Sequence, residues 1–136
     1  MAGMQSWRGK RAVNVANGTT LLGLLVAAVG RARLGRGPRG LVLATGYRLP
    51  LPAAAAFTLG NVVITAHDPA WLVQRPALLR HEEQHSRQYA ALGLPMVPAY
   101  LLAAACSYVV SGDIGLRNPF ERLAGLADGG YPVRRP

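Results

Sequence analysis

Cysteine is almost absent from this chain, which has one cysteine among its 136 residues. Because Cys106 has no second cysteine to pair with, no disulfide can form within the chain. Cys106 lies in an apolar run, where a buried and unreactive thiol is the usual state. We therefore expect a fold held by its core, and a cytoplasmic, reducing location is compatible with that expectation.

Acidic residues are also scarce, with six Asp and Glu against fifteen Lys and Arg and a net charge of +9. The basic residues concentrate in residues 8–11, in residues 31–39 and at 134–135. They are not interleaved with aromatic residues in a recognisable binding motif, so we expect no nucleic-acid partner. Contact with an anionic membrane surface, and hence membrane association, is kept as an alternative.

Apolar runs are present but short. The run Thr19–Val29 follows a basic stretch without a convincing cleavage site, and it predicts an amphipathic or buried helix, with a signal anchor as the alternative. Residues 88–112 contain no charged side chain. Within them, residues 99–110 predict a core helix, because the segment is marginal in length for a membrane span; membrane contact is the alternative there.

What the chain does have is His-Glu-Glu-Gln-His at residues 81–85. Positions four apart lie on one face of a helix, so His81 and His85 can bind Zn²⁺ together. Glu82 would stand beside the metal, where it can act as the general base for a metal-activated water. A single helical stripe carries these residues, and a helix normally buries such a stripe. Its members are Leu78, His81, Glu82, His85, Tyr89 and Leu92.

A catalytic zinc usually has a third protein ligand. Glu121 is the preferred candidate, because Asn118-Pro119 predicts the start of a helix that would hold it rigidly. Glu at this helix position also suits a capping box with Asn118, which is the competing interpretation. Asp128 is the second candidate ligand, and His67 is a third that is more simply explained as a turn residue.

The remaining pattern predicts an α+β fold. Residues 1–17 are expected to be a loosely ordered basic segment and residues 31–40 a flexible linker, with one domain over residues 18–136. Residues 41–45 and 58–65 predict strands, and between them Pro50 and Pro52 bracket a turn with a helical turn at 53–56. The motif helix should begin near Pro76 and end near Gly93. The last helix should end near residues 128–130.

The motif followed by a helical Glu121 resembles the gluzincin branch of the zincin metallopeptidases, and especially the minimal, single-domain minigluzincins. The order of elements over residues 58–128 is similar: a small sheet, the HExxH helix, an apolar helix and a short glutamate helix, here after an N-terminal helix. Glu121-x-x-Ala124 is similar to the glutamate motif of membrane-associated gluzincins, in which Asp usually follows. Because Gly125 stands there instead, the partner that orients His81 or His85 is not identified. The resemblance implies that the strand at 58–65 pairs with an extended peptide.

These observations predict a zinc-dependent hydrolase, most specifically a metallopeptidase acting on peptides or proteins. Zn²⁺ would be held by His81, His85 and Glu121, with Glu82 as the catalytic base. The expected oxyanion donor is one of five residues: Tyr89, Tyr100, Tyr108, Arg122 or Tyr131. The alternative is a non-proteolytic zinc protein with a regulatory, scaffold or other zinc-assisted role, or a membrane-peripheral protein with a structural zinc. The sequence does not indicate the oligomeric state.

Overall fold

The computed structural model describes residues 2–50 and 55–129, with side chains from residue 7 onward. The fold is α+β, as the sequence predicts. In chain order the elements are α1 (Ala2–Ala16), α2 (Thr19–Val29), β1 (Arg33–Arg36), β2 (Val42–Thr45), β3 (Phe57–Leu59), β4 (Val62–Ile64), α3 (Pro69–Val73), α4 (Pro76–Leu92), α5 (Met96–Ser111) and α6 (Pro119–Ala124). The helical turn expected at 53–56 falls mostly on residues outside the described ranges.

The N-terminal segment is a helix rather than a loosely ordered chain, so that expectation is wrong. Asn14 on α1 is completely buried, and its Nδ2 donates to Asn61 Oδ1 at 3.0 Å and to Ser86 O at 2.9 Å. These bonds tie α1 to the β3–β4 turn and to α4. Since a buried amide is held by several partners at once, α1 belongs to the same packed unit as the rest of the domain.

The segment expected to be a flexible linker contains a strand. β1 pairs antiparallel with β2, from Arg33 opposite Thr45 to Arg36 opposite Val42. A short 3-10 turn at Pro38–Gly40 connects the two strands. The Gly and Pro residues predicted a break in regular structure, but β2 supplies backbone partners that residues 33–36 cannot reveal by themselves.

The strand expected over residues 58–65 is a hairpin of two strands, β3 and β4. Gly60 has φ 60° and stands first in the two-residue turn Gly60-Asn61, a position that favours glycine in this type of turn. The sheet order is β1-β2-β4-β3, and β2 and β4 are parallel. β3 is therefore an edge strand.

Helices pack on both faces of the sheet and enclose its apolar side chains. On one face, Ala27 of α2 packs with Val62 and Ile64 of β4. On the other face, Val63 packs with Leu72 of α3 and Leu79 of α4. Because successive strand residues point to opposite faces, the three consecutive apolar residues of β4 anchor both layers.

α5 differs from the expected core helix, although its location agrees with the prediction. Only Met96, Ala104 and Ser107 are buried in it, and Cys106 is exposed rather than buried. No single helix in the described ranges is long and apolar enough to cross a membrane. The bent pair Trp7–Ala16 and Thr19–Val29, which meet at 74°, passes that test jointly.

Candidate metal centre

α4 carries the HExxH motif on a buried face, as the sequence predicts. Pro76 occupies the first turn of α4, and Gly93, at φ 68°, ends the helix. His81, Glu82 and His85 are 2%, 3% and 6% exposed. A helix that buries two imidazoles and a carboxylate must give them polar or metal partners, since each would otherwise lose its hydration without compensation.

α6 brings Glu121 to both histidines. The side chain of Asn118 caps α6 by accepting from the N–H of Phe120, and Pro119 occupies the first turn. Glu121 Oε1 lies 3.1 Å from His81 Nε2 and also contacts His85 Nε2. The capping-box interpretation is wrong, because the N–H of Asn118 donates to Gly115 O and the carboxylate of Glu121 points to the histidines.

Each imidazole is oriented through its Nδ1 atom. His81 Nδ1 lies 2.7 Å from the carbonyl oxygen of Gly125, and His85 Nδ1 lies 2.9 Å from Oε1 of Gln88. A carbonyl oxygen only accepts, so Nδ1 carries the proton in His81. The amide of Gln88 is itself fixed, because its Nε2 donates to Phe120 O at 2.9 Å. In both neutral imidazoles, Nε2 therefore carries the lone pair that can bind a metal.

Three acceptors consequently converge on one point. His81 Nε2 and His85 Nε2 lie 3.2 Å apart, and the three ligand atoms of the His81, His85 and Glu121 cluster all lie within 4.8 Å of one another. Zinc–nitrogen bonds of about 2.0–2.1 Å in a tetrahedral site place two donors roughly 3.3–3.4 Å apart. Two lone pairs and a carboxylate at these distances fit a divalent cation. The identity of the metal is not fixed by this geometry, because the donor set suits several transition metals.

When no metal is bound, protonation of His81 and His85 balances the charge of the buried carboxylates. Burial alone lowers the pKa of His81 and of His85, but the hydrogen bond to Glu121 and the charge of Glu82 outweigh it, so both pKa values are raised. The site therefore favours positive charge at its centre. A metal ion and these protons compete for the same lone pairs.

The two glutamates of the motif have different environments. Glu83 is held by Arg39, whose Nε donates to both carboxylate oxygens at 2.9 and 2.7 Å. Glu82 instead accepts a hydrogen bond of 2.6 Å at Oε2 from the hydroxyl of Thr58 on β3. Burial raises the pKa of Glu82, although the charges of His85 and His81 and the Thr58 hydroxyl oppose the rise. Glu83 is thus paired with a cation, whereas Glu82 is bonded to a neutral hydroxyl.

The other predicted ligands are not part of the cluster. His67 is exposed and stacks on Trp71 at a ring distance of 3.9 Å, and Asp128 is exposed near Gly125. Within the described residues, His81, His85 and Glu121 form the group that could hold a metal. Glu121 is thus the third residue of the cluster, in agreement with the preferred candidate.

Among the predicted oxyanion donors, Tyr100 lies at the site, where its hydroxyl donates to Glu121 Oε2 at 3.1 Å. Its ring also meets His85 edge to face at 5.8 Å. Tyr89 is buried, Tyr108 and Arg122 are exposed, and Tyr131 lies outside the described residues. Burial raises the pKa of Tyr89.

Four residues that shape the site were missed from the sequence: Gln88, Gly125, Thr58 and Gly129. Gln88 follows His85 by three positions on one helix, a spacing that could have been read as a partner. The other three act across space and leave no local signal. Gly129 packs directly on the His81 ring, where an added Cβ would lie 2.5 Å from Cε1.

Comparisons with protein-family models, with curated proteins and with solved structures found no match. Function must therefore be inferred from the geometry of the site itself.

Proposed function

We propose that this chain is a zinc-dependent hydrolase, and specifically a metallopeptidase similar to the minimal gluzincins. The observation that carries the proposal is the convergence of His81 Nε2, His85 Nε2 and Glu121 Oε1 beside the buried carboxylate of Glu82. Three protein ligands leave a fourth tetrahedral position open, which is the arrangement of catalytic rather than structural zinc.

Zinc bound to these ligands would supply Lewis acidity, which makes water easier to deprotonate and polarises a substrate carbonyl. Glu82 is assigned as the general base that accepts the proton from the attacking water and returns it to the leaving amine. Thr58 holds Oε2 of Glu82, so proton transfer is assigned to Oε1. Gln88 and the carbonyl of Gly125 keep the two imidazoles in the tautomer that binds metal.

The edge strand β3 supports a peptide as the substrate. Among residues 2–50 and 55–129, β3 has a neighbouring strand on one side only, and the hydroxyl of its central residue, Thr58, donates to Glu82. An extended peptide that paired with the open side of β3 would lie next to the proposed base. Main-chain pairing of this kind binds peptides without requiring a particular side chain, which suits a chain of this size.

A Glu82→Gln variant tests the assignment. We expect it to bind as much zinc as the wild type, measured by elemental analysis, and to lose about 100-fold or more of the rate on a library of fluorogenic peptides. Glu83→Gln is the matched control, since it changes the adjacent glutamate of the same motif and should keep the activity. Full activity in Glu82→Gln, or a zinc-loaded wild type that cleaves no peptide in the library, would contradict the proposal.

The burial of the ligands favours a second candidate, a non-proteolytic protein in which zinc is structural. His81, His85 and Glu121 are at most 6% exposed, as is common in closed structural sites. In that case zinc removal should lower thermal stability, while Glu82→Gln should change neither stability nor any catalytic rate. Peptide cleavage that Glu82→Gln abolishes and Glu83→Gln keeps therefore separates the two functions, whereas zinc removal lowers stability in both.

A further inference from the structure

The outer face of α2 is apolar and has no partner among the described residues. The inner face, with Thr20, Gly23 and Ala27, is buried. On the opposite side, Leu21, Leu25 and Val29 recur every four residues and are 60%, 56% and 70% exposed. A helix that borders water normally carries polar side chains on that side. We call Leu21, Leu25 and Val29 the outer face of α2.

α5 shows the same property over a longer surface. Leu101, Leu102 and Val109, the outer face of α5, are 61%, 67% and 83% exposed. No charged residue occurs between positions 88 and 112, so no charged side chain of α5 can shield this face from water. Exposed apolar surfaces of this extent usually mark a site of interaction.

The two outer faces start from the same corner of the molecule. Gly18 precedes α2, and an added Cβ there would lie 3.8 Å from Leu94 Cδ1, just before α5. Asn17 reinforces the junction, because its Nδ2 donates to the carbonyl of Tyr89 at 3.0 Å. Leu94 is itself 48% exposed. The two helices therefore begin close together, and an exposed apolar side chain lies between them.

The charges near α2 are all of one sign. Residues 1–67 contain eight basic side chains and no acidic one. Arg31 and Arg36 are exposed after α2. In the β1–β2 register, Arg36 lies opposite Val42, whose side chain packs with the α2 layer, so Arg36 points to the sheet face that α2 covers. Positive charge thus borders the outer face of α2.

We propose that the outer faces of α2 and α5 dock on an anionic lipid bilayer. Apolar side chains would enter the interface, while Arg31 and Arg36 would contact the lipid phosphates. A second copy of this chain is a poorer occupant, because association would bring two molecules of charge +9 together through their basic borders. The proposal does not require the metal site to be catalytic.

Co-sedimentation of the full chain with vesicles tests this. We expect binding to phosphatidylcholine vesicles that contain phosphatidylglycerol, weaker binding at high salt, and little binding to phosphatidylcholine alone. Leu25→Gln and Leu102→Gln should each lower the partition coefficient about tenfold. The double variant Arg31→Gln, Arg36→Gln should lower it about thirtyfold.

Two matched controls lie on the other side of the sheet. Val73→Gln changes a residue that is 66% exposed on α3, and Arg80→Gln removes an exposed arginine from α4. Both should bind vesicles as the wild type does, and circular dichroism should show that every variant is folded. Unchanged binding in Leu25→Gln or Leu102→Gln, or equal binding to both kinds of vesicle, would overturn the proposal.

Sedimentation equilibrium without lipid tests whether a second copy of the chain covers this surface instead. The contrary result is a chain that forms a dimer, which Leu25→Gln dissociates, and that fails to bind vesicles. That result would assign the surface to a second copy of the chain and contradict docking on a membrane. Glu82→Gln should bind vesicles like the wild type, so a failure of the hydrolase proposal and a failure of the docking proposal are distinguishable.

Discussion

At the scale of single residues, the orientation of His85 depends on Gln88, whose amide lies between the imidazole and α6. Gln88 Oε1 lies 2.9 Å from His85 Nδ1, while Gln88 Nε2 donates to the carbonyl of Phe120. One side chain therefore fixes the tautomer of a ligand and connects the helix that carries the motif to the helix that carries Glu121. Partners of this kind raise the basicity of the ligand and hold its ring in place.

We expect Gln88→Ala to lower the affinity for zinc about tenfold without unfolding the protein, because His85 would lose its fixed orientation. Competition titration against a zinc-binding dye measures this affinity. Gln84→Ala is the control, since Gln84 lies on the same helix but outside the metal cluster, and its affinity should match the wild type. Equal affinity in the two variants would show that Gln88 does not support the site.

The sequence predicted the members of the cluster better than their surroundings. His81 and His85 were identifiable because helical geometry fixes where residues four apart point, whatever the rest of the fold does. Glu121 required the additional expectation of a third donor, which the structure meets. Thr58, Gly125 and Gly129 contact the motif residues from other elements, and no pattern within their own segments indicates which side chain they will meet.

At the scale of elements, prediction succeeded where local chemistry determines the ends of a helix. Pro76 and Gly93 bound α4, and Asn118 caps α6 as expected. α6 ends at Ala124, earlier than predicted, where Gly125 leaves the helix with φ 99°. β1 and the β3–β4 hairpin were missed, because strand pairing depends on partners that are distant in sequence. The position of α5 in the chain was predicted correctly, but its burial in the core was predicted wrongly.

The packing of α1 on α4 leaves an ammonium group without compensation. Lys10 is 7% exposed, and its Nζ has no hydrogen-bond partner in the described part of the chain. Burial, together with Arg87 and Arg39, lowers the pKa of Lys10 from 10.5 to about 8, although Glu83 opposes the change. The unfolded chain therefore binds more protons than the folded chain between pH 8 and 10.5, so stability rises with pH there.

Lys10→Met should remove this rise. Because a shift of that size corresponds to about 3 kcal/mol at most, we expect the variant to be more stable than the wild type by about 1–2 kcal/mol at neutral pH. The advantage should shrink as the pH approaches 10. Urea denaturation across that range measures it, and Arg8→Met, an exposed position on the same helix, is the control. A constant difference at every pH would show that Lys10 keeps its ordinary pKa in the folded chain.

At the scale of the whole molecule, the metal cluster joins α4 to α6. His81 and Glu121 are 40 residues apart in sequence. α6 has six residues, too few to form a stable helix alone, so its position depends on contacts with α4. A bound metal would act as a cross-link between these helices and stabilise the folded state by mass action.

We expect zinc at a free concentration of about 100 times its dissociation constant to add about 2.7 kcal/mol of stability and to raise the melting temperature by roughly 10 °C. A chelator should reverse the effect, and differential scanning calorimetry measures both. His81→Ala should melt at the same temperature with and without zinc. A shift of equal size in that variant would mean that zinc binds elsewhere.

The bonds of Asn14 also have a consequence for the order in which the protein is made. Asn14 bonds to Asn61 and Ser86, which follow it by 47 and 72 residues. At ordinary rates of synthesis, Ser86 is added roughly 4 to 14 s after Asn14. During that interval the amide of Asn14 is hydrated, and α1 leaves the ribosome without α4, the helix that it packs against. The proposed docking face of α2 is therefore available to lipid before any ligand of the metal site has been translated.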